Sequence, residues 1–322
     1  MSTLVFLEHN GSTITKGSLG VLGKAASVDP DTAGVLVGSG VAGLADQAGK
    51  YGAAKVFVID DASLEAPLPQ PRVDAIAGLV QAQGFDNVLF AASVLASDIA
   101  GGLSSRLGAG LNWDLGDITN DGGELVGRRS ALGDTVLVDV GWTATPRLAL
   151  FRAGSFDPSE SGAAGAVENA SADVQDFSQG AKLTAQDQEE SSGPSIEEAD
   201  ILVTGGRGVG SPEAFSELED LAKALGGAVA STRAVVDSGW YPYATQIGQT
   251  GKVVSPKLYI GAGVSGAIQH KVGMQSSQTI VSINKDGNAP IFEFSDFGVV
   301  GTEDLADGIE KAEEVDVGDN GE

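Results

Sequence analysis

The sequence predicts an α/β protein of two domains, each built on a mainly parallel β-sheet flanked by helices. In both halves, short apolar segments alternate with segments of helical character, and strands separated by helices pair in parallel through right-handed crossovers. Between the halves lies a stretch rich in Ser, Ala, Gly and acidic residues. A chain of 322 residues is long enough for two domains whose cores need no disulfide or metal.

The first half opens with strands and helices in alternation. Three prolines, at 67, 69 and 71, interrupt the chain before one helix, and Ser93 stands directly before the next. Small residues at 100–102 suit this second helix to close packing on a sheet. The predicted strands are 4–7, 35–37, 56–59 and 88–90, and the predicted helices end near Lys50, Gln83 and Leu107.

Beyond residue 124 the pattern changes. Segments 125–129, 135–140 and 147–151 are separated only by short turns, so we expect them to form an antiparallel extension. Residues 155–193 contain little that could be buried, and we interpret them as a surface-exposed crossing or linker. The domain boundary is therefore predicted near residues 191–194, which gives domains of residues 1–190 and 191–322.

The second half begins with a strand at 201–204 and a glycine turn at 205–208. Ser211 is the predicted N-cap of the next helix, because Pro212 suits the first helical position and Gly226 suits its end. The later predicted strands are 229–230, 258–260, 279–283 and 291–294. Polar residues follow the last two of these, at the strand ends where open α/β sheets bind ligands.

The charge of the chain is strongly negative: 44 acidic residues against 19 basic residues give a net charge of −25. Nucleic acid is excluded as a partner, because binding to phosphate backbones depends on clustered Lys and Arg. A disordered acidic protein is disfavoured, since 42% of the residues are hydrophobic. We interpret the charge as adaptation to high salt, where a Debye length of about 3 Å at 1 M screens self-repulsion, and we expect a halophilic source.

Residue counts and hydropathy exclude further classes. The chain has no cysteine, so disulfides, thiolate chemistry and cysteine-ligated metals are absent. With only two histidines, a histidine-rich metal site is disfavoured, whereas carboxylate-bound Mg²⁺ stays open. No segment reaches the ~20 apolar residues that span a bilayer. The first ten residues lack the basic segment of a signal peptide, so we expect a soluble cytoplasmic protein without membrane insertion.

Two glycine patterns compete as dinucleotide sites. In the first, Gly38, Gly40 and Gly43 form GxGxxG after a strand, and Asp60 and Asp61 lie at the spacing of a ribose-binding acid. One hypothesis is therefore a nicotinamide-dependent dehydrogenase that uses this turn. The alternative is that these glycines only let a helix pack closely against the sheet.

The second pattern, Gly261, Gly263 and Gly266, follows strand 258–260 and precedes a helical segment. Bare backbone amides at the start of a helix attract a phosphate. In a doubly wound, Rossmann-like sheet, several polar residues fall at the ends of neighbouring strands, close to this turn. They are Arg207, Thr232, Arg233, Gln249, Thr250, Ser265, Gln269 and His270.

The motifs around this turn carry a resemblance to a known family. LYIGAGVSGAIQHKVGM, INKDGNAPIF and SDFGVVG, preceded by TGGRGVG, STRAVVDSGW and IGQTGKVV, resemble the FAD-binding domain of the electron transfer flavoprotein alpha subunit. The first half, from TLVFLEHN to FRAGSFDPSE, resembles the first domain of the same family more loosely.

The resemblance implies a C-terminal FAD-binding domain and an electron carrier without an organic substrate of its own, hence not an enzyme. It further implies a heterodimer with an electron transfer flavoprotein beta subunit. Flavin dehydrogenases, such as those of fatty acid β-oxidation, would donate electrons, and a membrane quinone oxidoreductase or another acceptor would receive them.

The resemblance also assigns cofactor contacts to matching residues. Arg207 would lie against the isoalloxazine ring, where its charge stabilises a reduced, anionic flavin, and His270 would reach the pyrimidine edge. Thr232 stands where the family usually has serine. The other expected contacts are Arg233, then Ile247, Gly248, Gln249 and Thr250 beside the flavin, then Ser265, Gly266, Ala267, Ile268 and Gln269 along the pyrophosphate and ribityl chain, then Asn284, Asp296 and Phe297 at the adenosine end.

Without the resemblance, these residues leave alternatives open. Arg207 could belong to a surface ion pair, and His270 could be a packing histidine. Asp286, directly before Gly287, fits a turn better than a ribose contact. A subunit that has lost its cofactor is disfavoured, because the motif residues remain largely intact.

Overall fold

The computed structural model describes residues 1–132, 136–161, 165–185 and 195–301. The chain divides into two compact units, Met1–Asp187 and Gln188–Glu322. The predicted boundary at 191–194 lies outside the described residues. Within the described part of the chain, no helix has both the length and the apolar character needed to cross a membrane.

The first unit is built on a parallel sheet of seven strands. The strands described in this unit, which also include those of a second, smaller sheet, are β1 (Thr3–Phe6), β2 (Ala33–Gly38), β3 (Lys55–Asp60), β4 (Asn87–Ala91), β5 (Leu111–Leu115), β6 (Asp117–Asp121), β7 (Glu124–Ala131), β8 (Val136–Val140), β9 (Arg147–Phe151) and β10 (Ala166–Asn169). The seven-stranded sheet has the order β10-β3-β2-β1-β4-β9-β5, and its neighbours pair in parallel. The strands β6, β7 and β8 form a separate antiparallel sheet.

Four helices cover the two faces of the large sheet. They are α1 (Lys16–Val28), α2 (Ala45–Lys50), α3 (Pro69–Gln83) and α4 (Val94–Leu107). Side chains of α3 and α4 share an apolar core with Phe6 and Phe57, while those of α1 and α2 share another with Leu7 and Val58. Alternate residues of one strand thus point into opposite cores, as the two-residue repeat of a strand requires.

Helix signals in this unit are mostly confirmed. The helix predicted directly after Ser93 is α4, and the structure shows Ser93 as its N-cap, because the Ser93 hydroxyl accepts a hydrogen bond from the Ala96 N–H at 2.9 Å. Helix α3 begins at Pro69, earlier than the sequence pattern indicates. A proline lacks an N–H group, and the first turn of a helix leaves its N–H groups without helical partners, so proline fits there.

Two predictions for the end of this unit were wrong. Strand β9 is not part of an antiparallel extension, because it lies between β4 and β5 and pairs with both in parallel. All five of its residues are buried, as in a central parallel strand. The segment predicted as a surface-exposed crossing or linker contains a strand, β10, which pairs with β3 through backbone hydrogen bonds. Its side chains are exposed, so composition alone could not identify it as a strand.

The second unit contains a six-stranded parallel sheet. Its strands are β11 (Ile201–Gly205), β12 (Ala228–Thr232), β13 (Gln246–Ile247), β14 (Leu258–Ala262), β15 (Thr279–Asn284) and β16 (Phe297–Val300), in the order β13-β12-β11-β14-β15-β16. Its helices are α5 (Phe215–Leu225), α6 (Arg233–Asp237) and α7 (Ile268–Met274). The chain leaves β11 toward β12 and later returns to β14 on the other side, which makes the gap between β11 and β14 the topological switch point.

The two mainly parallel sheets confirm the predicted fold class, but two local predictions in this unit were wrong. Helix α5 begins at Phe215 without a side-chain cap, so Ser211 is not its N-cap. Residues Pro290–Phe294 form a 3₁₀-helix, not a strand, and the strand of this region is β16. Pro290 suits the start of a helical turn, and only Ile291 of the segment is buried, which a strand pattern does not reveal.

Candidate cofactor site

Two glycine turns meet at the switch point of the second unit. One follows β11 and the other follows β14. The Gly206 N–H donates to the Ala262 carbonyl at 2.9 Å, and the Gly208 N–H donates to the Gly263 carbonyl at 3.0 Å. The turns therefore hold each other through their backbones, at the edge where a doubly wound sheet binds its ligand.

Glycine is required at this crossing. A Cβ on Gly206 would lie 2.2 Å from the Gly263 carbonyl oxygen. Gly266 has φ +83°, and a Cβ there would lie 2.2 Å from the Ile291 nitrogen. The glycines are thus required because a side chain at these positions would collide with a neighbouring backbone segment, whether or not a phosphate binds there.

Beyond this crossing the chain presents unused donors. In the described part of the chain, the N–H groups of Gly266, Ala267 and Ile268 donate no hydrogen bond. Ser265, Ala267 and Ile268 are exposed, and Ile268 shows 75% of its surface to solvent although it is apolar. Donors and an apolar side chain exposed together fit a surface that a cofactor covers.

The loop after β13 packs onto the start of α7. The Gln249 N–H donates to the Gln269 carbonyl at 2.7 Å. Gly248 has φ +138°, and a Cβ on Gly273 would lie 2.4 Å from the Gly248 nitrogen. The structure therefore brings the predicted contacts Ile247–Thr250 beside the predicted contacts 265–270, with Gln249 and Thr250 exposed.

His270 lies under this surface with 7% of its area exposed. Its Nε2 is 2.8 Å from the hydroxyl of Tyr259, a residue of β14. Burial lowers the pKa of His270 to about 4, so the ring is neutral near pH 7. Its Nδ1 is buried and has no hydrogen-bond partner among the described residues. The sequence reasoning did not single out Tyr259, although a tyrosine within a buried strand indicates a phenol that needs a partner.

The predicted cations differ in their surroundings. Arg207 is exposed in the turn after β11 and has no ion pair among the described residues. The Arg233 Nε lies 3.2 Å from Asp237 Oδ2, and both side chains are exposed. Thr232, at the end of β12, is half-buried and occupies the N-cap position of α6, but its side chain makes no capping hydrogen bond. Arg207 is thus a free positive charge beside the switch point, whereas Arg233 is partly neutralised.

The residues predicted at the adenosine end do not all meet. The Asn284 Nδ2 donates to the Val264 carbonyl at 2.8 Å and so ties the glycine turn to β15. Asp296 accepts from the Ile280 N–H at 2.7 Å, beside the first residues of β15 and so at the opposite end of that strand. Phe297, 57% exposed, begins β16 at the same end. The structure therefore places Asp296 and Phe297 away from the other predicted contacts, because segment 290–294 is not a strand.

A turn role for Asp286 agrees with the structure. Its carbonyl accepts from the Ala289 N–H at 2.9 Å, and its carboxylate accepts from the Asn288 N–H at 2.9 Å. No group of histidine and acidic side chains in the described ranges is arranged to hold a metal ion.

The glycine turn of the first unit is occupied by a side chain of the protein itself. The Asp60 carboxylate accepts from the N–H groups of Gly40, Val41 and Ala42 at 2.7, 3.1 and 3.3 Å. A carboxylate thus fills the position that a phosphate takes in a dinucleotide site. A Cβ on Gly38 would lie 2.7 Å from Val41 Cγ1, which supports the packing interpretation of this turn.

The second unit satisfies what a dinucleotide cofactor needs. Within the described ranges, it offers N–H groups without acceptors for a pyrophosphate, a guanidinium without an ion pair for an electron-rich ring, and a buried ring nitrogen without a partner for a polar edge. The fold and the site together have the features of an α/β protein with a dinucleotide site at the switch point of its second sheet.

Comparisons with known proteins give the family. The description "Electron transfer flavoprotein domain" matches residues 3–178, and "Electron transfer flavoprotein FAD-binding domain" matches residues 195–275. "Electron transfer flavoprotein subunit alpha" of Mycobacterium leprae is 42% identical over 315 residues, which cover 95% of this chain and 97% of that protein. The protein of the same name from Bacillus subtilis is 37% identical, with 87% and 86% covered.

A more distant relative has the same name. "Probable electron transfer flavoprotein subunit alpha, mitochondrial" of Caenorhabditis elegans is 34% identical, with 92% of this chain and 89% of that protein covered. The chain belongs to the electron transfer flavoprotein alpha subunit family. Its cofactor is FAD, and the role that the family supports is that of an electron carrier.

Proposed function

We propose that this protein carries electrons between flavoenzymes, with FAD held by its second unit and with a beta subunit completing a heterodimer. The observation that carries the proposal is the row of N–H groups after β14 that donate no hydrogen bond within the described residues, at the switch point where Arg207 also lies. The relatives' names specify an alpha subunit, which supports a partner subunit of another kind.

The chain's own residues would bind and orient the cofactor. The N–H groups of Gly266, Ala267 and Ile268 would hold the pyrophosphate, and Ser265 and Gln269 would flank it. The loop Ile247–Thr250 would lie beside the flavin, with His270 at a polar edge. Thr232 and Arg233 would border the site from the end of β12. When bound, the flavin supplies the acceptance and donation of electrons.

Arg207 would set the charge next to the flavin. The net charge of the chain is −25, which repels an anion. A local guanidinium without an ion pair offsets this repulsion and favours the more negative, reduced form of the ring. No general acid, nucleophile or substrate pocket is required for this function, which agrees with a carrier that does not turn over an organic substrate.

The partners follow from the proposed carrier role. We propose flavin dehydrogenases, including those of fatty acid β-oxidation, as donors and a membrane quinone oxidoreductase or another acceptor as the recipient. The proposed location is the cytoplasm of a halophilic prokaryote, in line with the acidic composition.

The competing hypothesis is a nicotinamide-dependent dehydrogenase that uses Gly38, Gly40 and Gly43. The Asp60 carboxylate already occupies the N–H groups that a pyrophosphate would need, which argues against it. Titration of the purified protein with NADH should show no saturable binding. Tight NADH binding that is lost in a Gly40→Val variant would revive the dehydrogenase hypothesis.

The test of the carrier hypothesis is a spectrum. The protein co-expressed with its beta subunit should be yellow, with one FAD per heterodimer, and a reduced flavin dehydrogenase should bleach it without any added organic substrate. A colourless preparation that takes up no added FAD would refute the proposal.

A further inference from the structure

Tyr259 is a buried phenol whose partner is the candidate flavin contact His270. Its ring lies in β14 with none of its area exposed, and its hydroxyl is 2.8 Å from His270 Nε2. The two ring centroids are 6.1 Å apart. Through this contact, a core residue of the second unit can determine which ring nitrogen of His270 carries the proton.

The phenol keeps its proton. Burial raises the pKa of Tyr259 well above that of an exposed tyrosine. A buried O–H needs an acceptor, because an unsatisfied buried donor costs about 1–3 kcal/mol. Thr204, in the neighbouring strand, lowers the pKa of this phenol, but its hydroxyl makes no hydrogen bond among the described residues. The acceptor with good geometry is therefore His270 Nε2.

A neutral imidazole carries its proton on one nitrogen only. If Nε2 accepts from Tyr259, the proton must be on Nδ1. Nδ1 is the buried ring nitrogen without a hydrogen-bond partner in the described part of the chain. The backbone of Ile247, from the loop predicted beside the flavin, favours the protonated state of the ring. The histidine thus presents an N–H donor toward that loop.

We infer that Tyr259 is a positioning residue, which holds His270 in the tautomer with its proton on Nδ1, so that the ring presents this N–H toward the Ile247–Thr250 loop of the proposed flavin site. The inference rests on the proposed FAD site. A free neutral histidine would populate both tautomers, and only one of them offers a donor at this position. The hydrogen bond from Tyr259 would select that tautomer before the cofactor binds, as preorganisation requires.

The first arm of the test reads the tautomer directly. Long-range ¹H–¹⁵N NMR of ¹⁵N-histidine-labelled protein distinguishes the two neutral tautomers, and the chain has only two histidines. A His9→Gln variant assigns the signals. The wild type should show the Nδ1–H tautomer at pH 7, both as the isolated chain and in the heterodimer. Tyr259→Phe should shift His270 toward Nε2–H, and an Nε2–H wild type would overturn the inference.

The second arm shows whether Tyr259 acts through the histidine. Tyr259→Phe should weaken FAD binding about tenfold, the loss of one well-oriented hydrogen bond. In a His270→Gln background, the same change should weaken binding less than twofold, because the residue through which it acts is gone. An equal loss in both backgrounds would show a purely structural role. Tyr51→Phe, which removes a phenolic oxygen from the first unit, should leave the affinity unchanged.

The two arms separate this inference from the carrier proposal. If the wild-type chain bound no FAD, the proposed function would fail, while the tautomer measurement would still decide the state of His270. If FAD bound and the tautomer were Nε2–H, the inference would fail and the proposed function would stand.

Discussion

At the scale of single residues, the site depends on how each side chain is paired. From the sequence alone, His270 could be a packing residue and Arg207 could belong to a surface ion pair, or both could contact a ligand. The structure leaves one nitrogen of His270 and the guanidinium of Arg207 without a partner among the described residues. Native proteins pair nearly all their buried polar atoms, so the buried nitrogen of His270 is a candidate for a ligand contact, whereas Arg207 is an exposed charge that a ligand can use.

Arg207 should set the reduction potential of the flavin. Arg207→Ala removes a positive charge and should lower the potential by several tens of mV, because the reduced flavin is more negative. Arg207→Lys should retain most of the wild-type potential. Spectroelectrochemical titration of the heterodimer measures the change. Arg128→Ala, which removes an exposed arginine from the first unit, is the control, and an equal shift in that variant would contradict a local effect of Arg207.

His270 should make the stability of the second unit depend on pH. Its folded-state pKa of about 4 lies below the unfolded value of 6.5, so the unfolded chain binds the proton more readily. Stability is fully present above pH 6.5 and is lost as the pH falls toward 4, by about 3 kcal/mol at most. Urea unfolding between pH 7.5 and about 4.5 measures this loss. The slope against pH should be smaller in His270→Gln, and an identical slope would contradict the assignment.

At the scale of elements, the site is made by turns that pass within van der Waals contact of each other. The turn after β11 crosses the turn after β14, and the loop after β13 docks on α7. Each contact is backbone against backbone, so the N–H groups of residues 266–268 are positioned by close contacts that only glycine permits.

Gly266→Ala should disrupt this arrangement. The residue has φ +83°, and its Cβ would meet the Ile291 backbone, so we expect a loss of about 1–3 kcal/mol in stability and at least a tenfold loss in FAD affinity. Thermal unfolding and fluorescence titration with FAD measure the two effects.

The matched control is Gly101→Ala, in the exposed face of α4. A Cβ on Gly101 meets nothing within 4 Å, and alanine is a better helix former, so stability should rise by about 0.5–1 kcal/mol with FAD affinity unchanged. If Gly266→Ala behaved like this control, the packing argument for the turn would be incorrect.

At the scale of the whole molecule, the charge of −25 is the dominant property. Repulsion between acidic groups destabilises a compact chain, and salt screens it. The midpoint of urea unfolding should therefore rise steeply from about 0.1 M to 1 M KCl, where the Debye length has fallen to about 3 Å, and then level off. A midpoint that stays flat or falls would reject adaptation to high salt.

Exposed carboxylates of α5 provide the control for this effect. Replacing Glu217 and Asp220 by Gln and Asn removes two negative charges from an exposed helix face. This variant should be more stable than the wild type at 0.1 M KCl, and the difference should vanish at 1 M. A difference that persists at high salt would have a cause other than charge repulsion.

Local sequence patterns were sufficient to predict many of the strands and helices. The apolar segments of β1 to β4 and of β11, β12, β14 and β15 predict buried parallel strands, and Ser93 and Gly226 mark helix ends. These features depend on residues close in the chain, so periodicity and capping reveal them. Strand β10 and the 3₁₀-helix at 290–294 were not predicted, because an exposed strand and a short apolar helix have no distinct local pattern.

The sequence by itself determined the fold class, the absence of cysteine chemistry and, through its motifs, the family and the cofactor. Only the tertiary structure revealed the physical difference between the two glycine turns. Asp60 fills the N–H groups of the first turn, whereas those of the second stay open beside Arg207 and His270. Both turns have the same spacing, and what distinguishes them is a carboxylate from another strand, a contact in space that spacing along the chain does not contain.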